Sequence, residues 1–182
     1  YLGKVKKIVP GLNAAFVNVG HEKDGFLHYL DFGPNVNSYK KFTDKVISKK
    51  SNTASLKNFR KEKEIEKSGL ITNVLKSGDQ ILVQVSKEAI SSKGPRLTAE
   101  ISIAGRNMVL LPFSNKISLS NKIRSQEEKV RLKRLLKSII PEGFGVIVRT
   151  VAKGKKVIEL DTELKTLYKK WQSVFKELKN AQ

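Results

Sequence analysis

Apolar residues in the first hundred positions come in short alternating runs, each closed by turn residues before a helix could form. Leu2–Val9 stops at Pro10-Gly11, residues 14–19 stop at a stretch running from Gly20 to Gly25, and residues 26–30 follow. Residues 80–85 and 96–103 repeat the pattern further along. A period of two sends successive side chains to opposite faces of an extended chain, so each run reads as a half-buried strand. Five such strands, with no helix long enough to cover an open sheet, predict a closed five-stranded barrel of the OB kind, because closure removes exposed edges.

Alternation also sorts the faces. Ala15, Val17 and Val19 point one way and suit a barrel interior, and Phe16 and Asn18 point the other way. In the next strand Leu27 is interior, and Phe26 and His28 are exterior. Two outward rings on neighbouring strands fit base stacking, in which aromatic faces carry bases while lysines follow the phosphates. The ordinary alternative is burial beneath another part of the chain, and for His28 a purely structural hydrogen bond.

Charge adds a partner class. The chain has 182 residues, room for two modest domains, and carries 36 Lys and Arg against 17 Asp and Glu, a net +19 at pH 7. With 39% hydrophobic residues it reads as folded, so the excess lies on a surface and favours polyanions. Zero cysteines and only two histidines, His21 and His28, exclude disulfide scaffolds, thiol nucleophiles and multi-histidine zinc centres. No apolar run approaches the ~20 residues of a membrane span and no signal-peptide pattern opens the chain, which predicts a soluble, cytoplasmic protein without a membrane partner. Residues 37–68 hold 10 basic and 4 acidic groups in a Lys-, Ser- and Asn-rich stretch, which predicts a mobile basic insertion.

The stretch YLGKVKKIVPGLNAAFVNVGHEKDGFLHYLD resembles the S-one-type RNA-binding domain, itself an OB fold. Within that group it is similar to the ribonuclease E/G family, as is the later tract VQVSKEAISSKGPRLTAEISIAGRNMVLLPFSNKISLSNKI. By that resemblance Phe16, Phe26 and Lys93 match positions that hold substrate RNA, with His28 beside them.

Past Gly105 the period changes. Residues 108–113 and Ile117–Leu119 read as strands. Ser125, Glu127 and Glu128 then open a helix with a stripe of Leu132, Leu135, Leu136 and Ile139, which Pro141 ends. Arg131, Lys133, Arg134 and Lys137 cover its other face, which reads as solvated surface. A strand over residues 144–150 follows, then a long helix with an apolar seam of Val157, Leu160, Leu164, Leu167, Trp171, Val174 and Leu178. The fold class is therefore α+β: a barrel over residues 1–98, with the insertion about 37–68, and a small α/β domain with two main helices over 99–182.

Arg149 and Thr150 at the strand end offer a guanidinium fork and a hydroxyl, groups that suit a terminal phosphate. The run GVIVRTVAKG resembles the 5′-end sensor of ribonuclease E/G, and the resemblance implies a 5′-monophosphate pocket formed by Arg149, Thr150, Gly105 and Val109. It also implies single-stranded, 5′-monophosphorylated RNA as partner, and a parent Mg-dependent endoribonuclease, homo-oligomeric, acting in RNA processing and decay. The family's metal-binding aspartates and its Cys-containing zinc link are not in this chain, so it reads as a piece of a longer protein, cofactor-free and inactive alone. Asp24, Asp31, Asp44, Asp79, Asp161 and Glu163 make no persuasive two-metal cluster, and Walker and G-x-S-x-G patterns are lacking. A non-catalytic RNA-binding module of a ribosome- or translation-associated protein is the competing reading, and a basic membrane-surface protein a weaker third.

Overall fold

A computed structural model of the chain describes residues 1–181. The fold is α+β and forms two compact units, one from residues 1–50 and 61–101, the other from residues 51–60 with the chain from Ser102 onward.

The first unit holds β1 (Leu2–Val9), β2 (Ala14–Asn18), β3 (Gly25–His28), α1 (Val36–Ile47), β4 (Gln80–Leu82), β5 (Gln84–Lys87) and β6 (Arg96–Thr98). Its strands form a curled sheet in the order β4-β1-β2-β3-β6-β5. The Pro10–Leu12 turn, closed by Asn13 in the left-handed region at φ 49°, folds β1 back on β2. Burial alternates along β2 and β3 as their sequence predicts. Ala15, Val17, Val19 and Leu27 are buried with Val5, Ile81 and Leu97 in one apolar cluster, while Phe16, Asn18, Phe26 and His28 lie half-buried on the other face.

Three expectations need correction here. Residues 80–85 are not one strand but β4 and β5, separated by Val83, whose N–H donates to the Tyr1 carbonyl (2.9 Å). The strand expected over residues 96–103 stops at Thr98, because the Ala99 N–H and the Thr98 hydroxyl both donate to the Asp31 carbonyl (2.9 Å each) and turn the chain out of the sheet. The supposed loop after residue 36 contains α1. Val36, Tyr39, Phe42 and Val46 recur at helical spacing and are all buried, and the Tyr39 hydroxyl donates to the Ile101 carbonyl (3.2 Å).

The second unit contains β7 (Ile103–Ala104), β8 (Met108–Pro112), β9 (Ile117–Leu119), α2 (Gln126–Ile139), β10 (Phe144–Val148) and α3 (Val157–Asn180), with the sheet order β7-β8-β10-β9. The Ser125 hydroxyl oxygen accepts from the Glu128 N–H (3.2 Å) and starts α2, with Glu127 and Glu128 in the first turn where the helix dipole favours acids. Leu160, Leu164, Leu167, Trp171 and Leu178 form the buried stripe of α3, but Val157 is 51% exposed and stands outside the seam expected of it. Residues 51–60 belong to this unit partly through Trp171, whose indole N–H donates to the Ala54 carbonyl (2.8 Å).

Candidate nucleic-acid interface

On the first unit, the antiparallel register sets Lys7 opposite Phe16 and Phe16 opposite Phe26, and a parallel bridge sets Phe26 opposite Arg96. One row across β1, β2, β3 and β6 thus reads cation, ring, ring, cation. The two rings meet edge to face with centroids 5.8 Å apart. Arg96 is held in place by a two-point ion pair with Asp31 (3.2 Å).

The row borders a cleft of about 1010 Å³, lined also by Lys23, Lys87 and Lys93. Lys7, Lys23, Lys87, Lys93 and Arg96 supply five cations against two acids, Asp24 and Glu88, so the cleft carries a net positive field beside an apolar floor. Lys93 reaches it because residues 90–93 form a tight turn, with the Lys93 N–H donating to the Ile90 carbonyl (2.8 Å). Gly94 then lies so close to the Asp24 carbonyl that no Cβ fits between them, which places Lys93 beside the Lys23-Asp24 corner.

Phe16, Phe26 and Lys93 are therefore brought together, and His28 is not among the residues lining the cleft. Its Nδ1 accepts from the Leu30 N–H (3.0 Å), a structural bond, while its ring lies 6.5 Å from that of Phe26. Lys7, Lys23, Lys87 and Arg96 escape sequence reasoning, since only the strand register gathers them.

On the second unit, β8 pairs with β10 so that Val109 faces Ile147 and Met108 faces Val148, and Ala104 of β7 pairs with Val109. The ladder continues past the strand end, where the Arg149 N–H donates to the Asn107 carbonyl (2.8 Å). Gly105, Val109 and Arg149 are thereby collected around one turn. Arg149 is exposed, and among the described residues its guanidinium has no hydrogen-bond or ion-pair partner. Thr150 follows it, its hydroxyl 2.8 Å from that of Ser120, a residue that sequence reasoning did not single out.

The backbone donors of the turn are already engaged. The Gly105 N–H donates to the Met108 carbonyl (2.8 Å), and the Arg106 and Asn107 N–H groups donate to the Glu163 carboxylate (2.8 and 3.0 Å). What this turn leaves open to a ligand is side-chain chemistry, a free guanidinium and an adjacent hydroxyl.

The loop after Thr150 is fastened by Glu128, which accepts from the Gly154 N–H (3.0 Å) and from the Arg131 guanidinium (2.6 Å). The Arg131 hydrogen bond, reinforced by the Gly154 N–H, holds the Glu128 carboxyl down to about 2. Among the described residues no helix is long and apolar enough to cross a membrane, and no group of three or more His, Cys, Asp or Glu side chains could hold a metal.

Residues 102–182 match the model of the Ribonuclease E/G family. The whole chain is 36% identical to Ribonuclease E of Nostoc sp., covering 23% of that protein. It is 38% identical to a Ribonuclease E/G-like protein of Pyropia yezoensis, again over the whole chain and 30% of the relative. Against Ribonuclease G of Escherichia coli K12 the identity is 30%, over the whole chain and 33% of the relative. The chain spans less than two thirds of the length of each of these relatives.

Proposed function

This chain belongs to the ribonuclease E/G family, and on that premise we propose that it is the RNA-recognition part of a single-strand-specific endoribonuclease. The observation that carries the reading is the Lys7, Phe16, Phe26, Arg96 row in a cation-lined cleft. Bases stack on the two rings, and Lys7, Lys93 and Arg96 neutralise the phosphates on either side. The OB-type barrel is part of the proposal. β4 and β5, the two ends of the six-strand order, are separated in the chain by Val83 alone, and in this reading the chain bends there to carry the sheet from β1 round to β6.

The second unit, in this reading, grips a 5′-monophosphate through the Arg149 guanidinium and the Thr150 hydroxyl, with Gly105 and Val109 bordering the pocket. A monophosphate presents several oxygens that a planar fork and a hydroxyl can meet together, and a 5′-hydroxyl presents no charge. The parent is proposed to act in the cytoplasm, as a homo-oligomer, in RNA processing and decay.

Phosphodiester cleavage in such a parent is proposed to draw on Mg²⁺. To this chain we assign the binding and orientation of RNA. The test is competition for the chain between short unstructured RNAs that differ only in a 5′-monophosphate or 5′-hydroxyl. Binding to both with a preference for the monophosphate supports the reading, and equal affinity removes the end-sensing part of it.

A further inference from the structure

The Arg106 and Asn107 N–H groups form a small backbone nest of the kind that binds anions, and a side chain of the same unit already fills it. Glu163 lies on α3, half-buried, next to the buried Leu164. Its Oε1 accepts from the Arg106 N–H at 2.8 Å and the Asn107 N–H at 3.0 Å, and its Oε2 stands 3.1 Å from the Asn107 N–H. Hydrogen bonds to an ionised acceptor are roughly twice as strong as neutral ones, so this carboxylate fixes the turn to the helix.

The connection then runs to Arg149. Asn107 is buried, and its carbonyl accepts the Arg149 N–H (2.8 Å), so one hydrogen bond separates the residue Glu163 holds from the backbone that bears the free guanidinium. Gly105 reports the same coupling, since a Cβ there would stand 2.9 Å from the Glu163 carboxyl carbon. Any side chain at position 105 pushes directly on the carboxylate.

We propose that Glu163 is the positioning residue of the 5′-phosphate pocket, acting on Arg149 through the Gly105–Asn107 turn and touching no RNA itself. This rests on the assignment of that pocket under Proposed function. A Cβ at 105 would crowd the Met108 carbonyl oxygen (3.1 Å) as well as the carboxylate, and that same carbonyl accepts the Gly105 N–H (2.8 Å).

The readout is the ratio of the Kd for 5′-hydroxyl RNA to that for 5′-monophosphate RNA at fixed salt, with thermal melting as the check on folding. Glu163→Ala is expected to lower the ratio by about tenfold, or to unity if the preference is smaller, while affinity for 5′-hydroxyl RNA is unchanged. Glu163→Gln keeps the shape and one acceptor oxygen, loses part of the ratio, and carries the test if the alanine variant does not fold. Gly105→Ala is expected to lower the ratio as well, since its Cβ would crowd the Glu163 carboxylate at 2.9 Å and the Met108 carbonyl oxygen at 3.1 Å. Asp161→Asn, which removes an acid from the same helix at its ion pair with Lys165 (2.9 Å), leaves the ratio intact. A wild-type preference that survives Glu163→Ala and Glu163→Gln in folded protein, or one lost equally in Asp161→Asn, overturns the positioning role. Absence of any preference in the wild type instead overturns the pocket assignment.

Discussion

Phe16 and Phe26 face each other across β2 and β3, their planes inclined at 64° and their centroids 5.8 Å apart, each half-buried on the face away from the apolar core. A base laid on one ring therefore has the edge of the other beside it. Phe16→Ala and Phe26→Ala are each expected to weaken single-stranded RNA binding by about 1–3 kcal/mol without unfolding the unit. Because the rings touch, the double variant loses less than the sum of the two, which a double-mutant cycle measured by fluorescence anisotropy reads directly. Variants that melt lower yet bind RNA normally once folded would place the rings in a purely structural role.

The cations around these rings differ in how they are held. Lys7 and Lys93 are exposed and make no ion pair among the described residues, whereas Arg96 is fixed by Asp31. Lys7→Ala and Lys93→Ala should each lower the slope of log K against log salt by about 0.7, the share of one phosphate contact on a single strand. Asp31→Asn releases Arg96 and removes the acid that offsets it, so we expect the slope to steepen, opposite in sign to the lysine variants. Titrations at several salt concentrations separate the two outcomes.

Glu128 makes acid stability a reporter of the loop behind Thr150. Its carboxyl is lowered from 4.5 to about 2 in the folded chain, mainly by the Arg131 hydrogen bond and then by the Gly154 N–H. A depressed folded pKa means a contribution fully present above about 4.5 and lost as pH falls toward about 2. Glu128→Gln should therefore destabilise the chain at neutral pH and flatten the loss of stability across that acid window. Urea denaturation at a series of pH values checks both, and an unchanged acid slope would contradict the assigned bonding.

Much of the first unit is legible in sequence because strand alternation is a local signal. The Ala15, Val17, Leu27 interior and the Phe16, Phe26 exterior follow from a period of two, and the buried stripe of α3 from steps of three and four. Helix α1 escaped because lysine, serine and asparagine between Val36, Tyr39, Phe42 and Val46 dominate the composition, although those four apolar positions already carry a helical period. Contacts distant in sequence left no trace. The Trp171 bond to Ala54 spans 117 positions and the Glu163 bond to Arg106 spans 57, and neither partner advertises the other. Gly105 is the instructive middle case. Sequence singles out the residue, but the space taken beside it by the Glu163 carboxylate and the Met108 carbonyl appears only in three dimensions.

The central claim, that this chain recognises RNA and reads its 5′ end, is tested most directly at Arg149. Short RNAs carrying either a 5′-monophosphate or a 5′-hydroxyl compete for wild type, Arg149→Lys and Thr150→Val at one salt concentration. Arg149→Lys keeps the positive charge but loses the planar two-point contact, so it should abolish most of the monophosphate preference while leaving 5′-hydroxyl RNA bound as before. Thr150→Val should cost less, about 1.5–3 kcal/mol at most for one hydrogen bond to a charged group, and leaves the Ser120 hydroxyl to find another partner. A preference present in wild type and lost in Arg149→Lys is the result this account predicts. Equal affinity of wild type for the two RNAs, or a preference untouched by Arg149→Lys, would contradict it.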